Sequence, residues 1–200
     1  MTKDSFLPEG YEVPEAPSKY MRLVKGINKF RILSKPIVGN EYWVDTKEGR
    51  KPVRKRPDEN IDLEEVDRDD QVKHFWAMPV WNYEIGAIQV LEITQRSVLK
   101  EIYNIARDSD WGSPLGYDIA ITKTGDGMET RYSVSPKPLK PVDPKIKDQF
   151  DALKSFDINR LFDNGDPFGE DEKNDPTPTQ TVITGNKDDA TEINLEDVPF

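Results

Sequence analysis

Polar and apolar residues begin to alternate at Asn28, and Phe30-Arg31-Ile32-Leu33 predicts a first strand, which Pro36 to Asn40 then breaks. Glu41-Tyr42-Trp43-Val44 predicts a second, rich in the aromatic and branched types that strands favour. Lys47 to Arg56, with Gly49 and Pro52, reads as a basic loop, and Asp58 to Asp70 as an acidic one. The apolar run His74 to Trp81, a turn at Asn82 to Gly86 and a strand from Ala87 to Ile93 follow. A helix is expected from about Gln95 to Arg107, with Thr94 as its cap. Val98, Leu99, Ile102, Ile105 and Ala106 would form its apolar stripe. Tyr117 to Lys123 and Glu129 to Val134, joined by Gly125-Asp126-Gly127, predict a hairpin with a tight glycine turn. Asp143 to Phe162 predicts a second amphipathic helix or a pair of them, with Ile146, Phe150, Leu153, Leu161 and Phe162 apolar.

Three strand regions, a helix and a two-strand hairpin match a mainly β protein with a single five-stranded OB-fold barrel, whose helix joins the third and fourth strands. Other small barrels and sandwiches share that order. The chain accordingly divides into an extended arm at 1–24, the barrel at 25–142, a helical segment at 143–163 and a tail at 164–200. The arm, with Pro8, Pro14 and Pro17, is expected to lie on the body through Tyr11, Tyr20 and Leu23. The tail is mostly Pro, Thr, Asp and Asn, a composition expected to be disordered.

Charge sharpens this division. The net charge of −10 would argue against nucleic acid if it were evenly spread over the 200 residues. Residues 161–200 carry eleven acids and two lysines, whereas Lys25 to Arg56 carries ten basic residues and three acids. The chain has no cysteine, and His74 is its only histidine, so disulfides and thiolate zinc sites are excluded. No apolar run approaches the ~20 residues of a membrane span, and no signal peptide is evident. A cytoplasmic protein without metal or cofactor is expected.

The residues with chemical potential are cations and rings interleaved on the expected strands. Lys29, Arg31 and Tyr42 belong to the first two; Lys51, Arg54, Lys55 and Arg56 to the basic loop. Lys73 and Trp76 belong to the apolar run, and Lys123, Arg131 and Tyr132 to the hairpin. Single-stranded nucleic acid asks for this mixture, because cations follow phosphates while rings stack on bases that no second strand covers. Half of the rings should be core. Tyr42, Trp76 and Tyr132 are the expected stacking surfaces, and alternation sets Tyr42 and Trp43 on opposite faces.

The carboxy terminus offers a different chemistry. Glu196, Asp197, Val198, Pro199 and Phe200 present acids, a ring and a free carboxylate together. Pro199 fixes its own φ and biases Val198 toward extended geometry, so docking orders little. This ending resembles the tip of bacterial single-stranded DNA-binding proteins, acids followed by Ile-Pro-Phe, with Val198 in place of the Ile. Residues 20–136 in turn resemble bacteriophage single-stranded DNA-binding proteins. The resemblance rests on Asn28 to Ser34, Glu41-Tyr42-Trp43, Lys51 to Arg54, Val80-Trp81-Asn82, Leu91 to Gln95, Asp110-Trp111-Gly112, and Tyr117 through Gly125-Asp126-Gly127 to Tyr132. It implies an OB-fold body, sequence-tolerant binding in DNA replication, recombination and repair, and an acidic tail that contacts replication and repair proteins. Some phage relatives bind zinc through His and Cys, ligands that this chain lacks.

Enzyme readings fare worse. Asp62, Glu64, Glu65, Asp67, Asp69 and Asp70 crowd one loop with little apolar support, so a solvated charge run is the better account than a magnesium site. Thr124-Gly125-Asp126-Gly127 lacks the Gly-Lys-Ser/Thr ending of a phosphate loop and sits between strands. The expectation is therefore a non-enzymatic binding protein. Two rivals stand beside it: an interaction protein that sequesters readers of the host tip, and an annealing recombinase.

Overall fold

One mixed sheet dominates the computed structural model, which describes residues 18–47, 49–64, 66 and 71–169. Its eight strands are β1 (Tyr20–Met21), β2 (Gly26–Ile32), β3 (Ile37–Thr46), β4 (Gly49–Lys55), β5 (Lys73–Asn82), β6 (Ala87–Ile93), β7 (Tyr117–Thr124) and β8 (Arg131–Leu139). Two α-helices accompany them, α1 (Arg96–Arg107) and α2 (Pro144–Asp151). The protein is mainly β, and the sheet is open, with the order β1-β6-β5-β2-β7-β8.

β2 and β3 run antiparallel to the same strand, from Phe30↔Asn82 to Glu41↔Lys73, so they act as one bent strand along β5. β5 then pairs with β6, and β7 returns after α1 to lie beside β2. The spatial order β7-β2-β5-β6 is a Greek key, with β8 added outside β7. β1 adds a short parallel pair to the edge of β6. At the other edge α1 packs on β8, where the backbone N–H of Val134 donates to Glu101 Oε2 at 2.7 Å.

β5 explains why its sequence is apolar throughout rather than alternating. It is buried on both faces, as a central strand must be when each face has cover. Met78 and Val80 join Phe30, Leu91, Ile119 and Ile121 in the main core, which α1 closes with Val98, Leu99 and Ile102. Phe75 and Ala77 point the other way, into a second core with Val90, Ile158 and Leu161.

The segment after β8 supplies that second cover. Asp143 accepts the N–H of Lys145 at 2.9 Å and Pro144 occupies the first turn, so α2 starts as expected. A 3-10 turn at Ile158–Asp163 then carries Leu161 and Phe162 onto the sheet. Gly39 permits the approach. A Cβ there would stand 2.4 Å from the carbonyl oxygen of Lys55 and within 3.0 Å of the rings of Phe75 and Phe162.

Several expectations need correction. The basic stretch 47–56 is not a loop; most of it is β4, held in antiparallel register with β3 from Asn40↔Lys55 to Thr46↔Gly49. Gln95, not Thr94, is the N-cap of α1, and its side chain makes no cap hydrogen bond. The β7–β8 connection is no tight turn, because Gly127–Glu129 adds a 3-10 turn before Arg131. The body also extends beyond 163. Phe168 packs edge-on against Phe156 at 5.2 Å and Asp166 forms an ion pair with Lys19, so residues 164–169 belong with the fold. Tyr11 and residues 170–200, including the expected tip, lie outside the described residues. Among the described residues, no helix is long and apolar enough to cross a membrane.

Candidate nucleic-acid interface

A groove of about 670 Å³ runs between the start of β5 and the first half of α1. Strand alternation builds one wall: with Phe75 turned into the second core, His74 and Trp76 face the groove. Helical periodicity builds the other wall. Val98, Leu99 and Ile102 point inward, which leaves Arg96, Lys100 and Tyr103 on the exposed side at i, i+4 and i+7. Together with Lys73, the groove has three cations and three flat rings, and no carboxylate among the described residues that line it.

The rings are held in place. Trp76 is half-buried against the main core, and its Nε1–H donates to His74 Nε2 at 3.2 Å. Tyr103 is 49% exposed, its hydroxyl accepting from Arg107 Nη1 at 3.0 Å while the guanidinium lies 5.5 Å from the ring centre. Such surfaces can stack on bases, and the three cations can follow a phosphate chain.

The other expected contact residues are scattered. Arg31 is 1% exposed: its Nε donates to Asp118 Oδ1 at 2.8 Å, and its remaining nitrogens donate to the carbonyls of Leu115 and Lys140. It holds β2 to β7 and has no surface to offer a phosphate. Asp118 also receives Lys29 at 3.1 Å, Lys140 at 3.3 Å and the Tyr83 hydroxyl at 2.9 Å. Burial alone would raise the Asp118 pKa, but hydrogen bonds from Arg31, Lys29 and Tyr83 outweigh it and hold the carboxyl at about 2. The same contact, after burial, pushes Tyr83 up to about 12.

Arg54 is likewise committed. Its Nη2 lies 3.2 Å from Glu41 Oε2 and 2.8 Å from Glu92 Oε2, tying β4 to β3 and β6. Burial first, then the adjoining Glu92 carboxyl, raises Glu41 to about 8 against the pull of Arg54. Arg56 pairs with Glu59 at 3.0 Å and lies over the ring of Phe162 at 4.6 Å. Lys55 is half-buried and Lys51 exposed on β4.

Lys123 donates to the carbonyl of Leu23 at 3.2 Å, and Arg131 is exposed at the start of β8. Tyr132 packs partly buried against the main core. Tyr42 is fully buried, so the expected stacking role fails for it, and its neighbour Trp43 takes the outer side, with Arg50 at 5.6 Å from its ring. Of the twelve strand and loop residues expected to contact nucleic acid, only Lys73 and Trp76 meet in the groove.

His74, Arg96, Lys100 and Tyr103 escaped the sequence reading. The last three lie on the polar stripe of α1, which recurs along the sequence at the same period as its apolar stripe. Comparison with protein-family models, curated proteins and solved structures finds no match for the chain.

Proposed function

We propose that the chain is a sequence-independent single-stranded DNA-binding protein of the bacteriophage type, acting in replication, recombination and repair by binding rather than catalysis. The groove carries this reading: it sets Trp76, His74 and Tyr103 beside Lys73, Arg96 and Lys100. A strand whose bases are unpaired meets both needs of such a surface, stacking and charge. A duplex, its bases covered, meets only the second.

The strand order supports an OB-fold reading of the body. Taking β2 with β3 as one bent strand leaves five long strands in a Greek key, with α1 between the third and the fourth. The remaining strands are additions, namely β4 as a partner of β3 and β1 on the edge of β6. The eleven acids of residues 161–200 and the tip Glu196 to Phe200 fit the second half of the proposal, recruitment of replication proteins that read acidic-Pro-Phe endings.

Titration with oligothymidylate and with duplex of equal length, followed by tryptophan fluorescence, tests the proposal. Single strands should bind much more tightly. If the three groove cations each neutralise a phosphate, log affinity should fall against log salt with a slope of about −2. Equal affinity for duplex, or no response to salt, would overturn it.

A further inference from the structure

Trp76 lines two spaces. One is the basic groove; the other is an apolar cavity of about 220 Å³ behind it, walled by Ile32, Met78, Ile102, Pro114 and Leu115. Ile32, Met78 and Ile102 belong to the main core and form the floor of the cavity, while Lys35 and Pro36 before β3, Ala106 on α1 and Ser113 are exposed at its mouth, so the recess opens to the surface.

We infer that this recess is a base pocket: one nucleotide of a bound single strand turns its base into it, with Lys35 at the rim for the phosphate. The inference rests on the single-strand reading of the groove and adds to it a defined subsite. Its size limits the occupant. Ligand pockets for larger molecules span about 300–1,000 Å³, so a 220 Å³ recess takes one ring system and no more. Its chemistry narrows the class further. The walls are apolar with one aromatic partition, as in sites that enclose an unstacked base between aromatic and apolar side chains. The rim charge is positive, and the Trp76 ring that would stack on a base in the groove also forms the pocket wall. A strand lying in the groove reaches the recess past Trp76, the side chain that borders both spaces. With few polar groups in its walls, the recess would select a flat ring rather than a particular base, in keeping with sequence-independent binding.

The test compares oligothymidylate of about twelve nucleotides, within the range of one binding site, with an abasic deoxyribose-phosphate chain of the same length. Ala106→Phe, and Ala106→Leu as the milder change, fill the recess from its exposed mouth. Unchanged far-UV circular dichroism establishes that each variant is folded. Both should lose affinity for oligothymidylate, about tenfold for Ala106→Phe, and neither should lose affinity for the abasic chain. Trp76→Ala should lose more than either. If both Ala106 variants bind oligothymidylate like the wild type while Trp76→Ala is weakened, the recess takes no base and the groove reading survives. An equal loss on both ligands would likewise overturn the pocket, because the effect would then lie in the backbone contact. Wild-type protein that binds neither ligand would overturn the single-strand reading itself.

Discussion

Two sets of cations in this molecule behave in opposite ways. Arg31 and Arg54 lie within the basic stretch that stands out along the sequence, yet both are enclosed, one by Asp118 and the other by Glu41 and Glu92. Arg96 and Lys100 lie outside that stretch, amid a chain of net negative charge, and share a groove that no described carboxylate lines. Local charge density in a sequence is therefore a poor guide to surface potential. What decides is whether the fold brings a carboxylate to the cation. Buried guanidinium groups act as ties between strands, whereas Arg96 and Lys100, exposed on α1, keep their charge available to a ligand.

The contrast is most easily broken at Arg31. Arg31→Ala should destabilise the protein by about 3–5 kcal/mol, because it breaks the buried pair with Asp118 and removes the donors to the carbonyls of Leu115 and Lys140. Lys100→Ala should change stability by less than about 0.5 kcal/mol. Urea unfolding of the two variants checks this, and similar midpoints would erase the distinction.

The pH dependence of stability sharpens it. Asp118 has its folded pKa lowered to about 2, so its contribution is present above the ordinary carboxylate range and lost as pH falls through about 2. That contribution is on the order of 2 kcal/mol. Glu41 runs the other way. Its folded pKa is raised from 4.5 to about 8, so its contribution is full below 4.5 and lost as pH rises through about 8. Urea melts should show stability falling between pH 5 and pH 8.5, and Glu41→Gln should flatten that fall. A wild type equally stable at both values would remove Glu41 from the account.

The smallest effect belongs to the groove cations. Replacing Arg96 and Lys100 together with Gln should make the salt slope shallower by about 1.4, at about 0.7 per lost phosphate contact on a single strand. The same change at Lys51 and Arg131, exposed elsewhere on the sheet, should alter the slope less. A salt titration of both double variants measures the difference, and equal slopes would mean that the groove is not the phosphate track.

How much of this was legible in the sequence depended on range. The helix α1 and strands β6 and β7 follow from local periodicity and β5 from an unbroken apolar run, and all four lie close to where the sequence sets them. β4 was not legible, because its strand character depends on Glu41 and Glu92 meeting Arg54 from other strands. Burial of Arg31 depends on a carboxylate 87 residues away. For Tyr42 and Trp43, alternation set them on opposite faces but carried no information on which face was inner. Gly39 gave no local sign of its role, since the atoms that crowd it come from Lys55, Phe75 and Phe162. The exposed stripe of α1, by contrast, needed only a second reading of the same helix.

The central place of β2 has a consequence for how the chain is made. Its neighbour β7 pairs from Gly26↔Lys123 to Arg31↔Asp118, about ninety residues later in synthesis. A ribosome adding about 5–20 residues per second leaves one edge of β2 without its partner for several seconds. Phe75 and Ala77 wait about as long, until Ile158 and Leu161 emerge to cover them. For that interval the nascent chain exposes an open strand edge and an apolar sheet face, which are the surfaces that chaperones bind and that aggregation exploits.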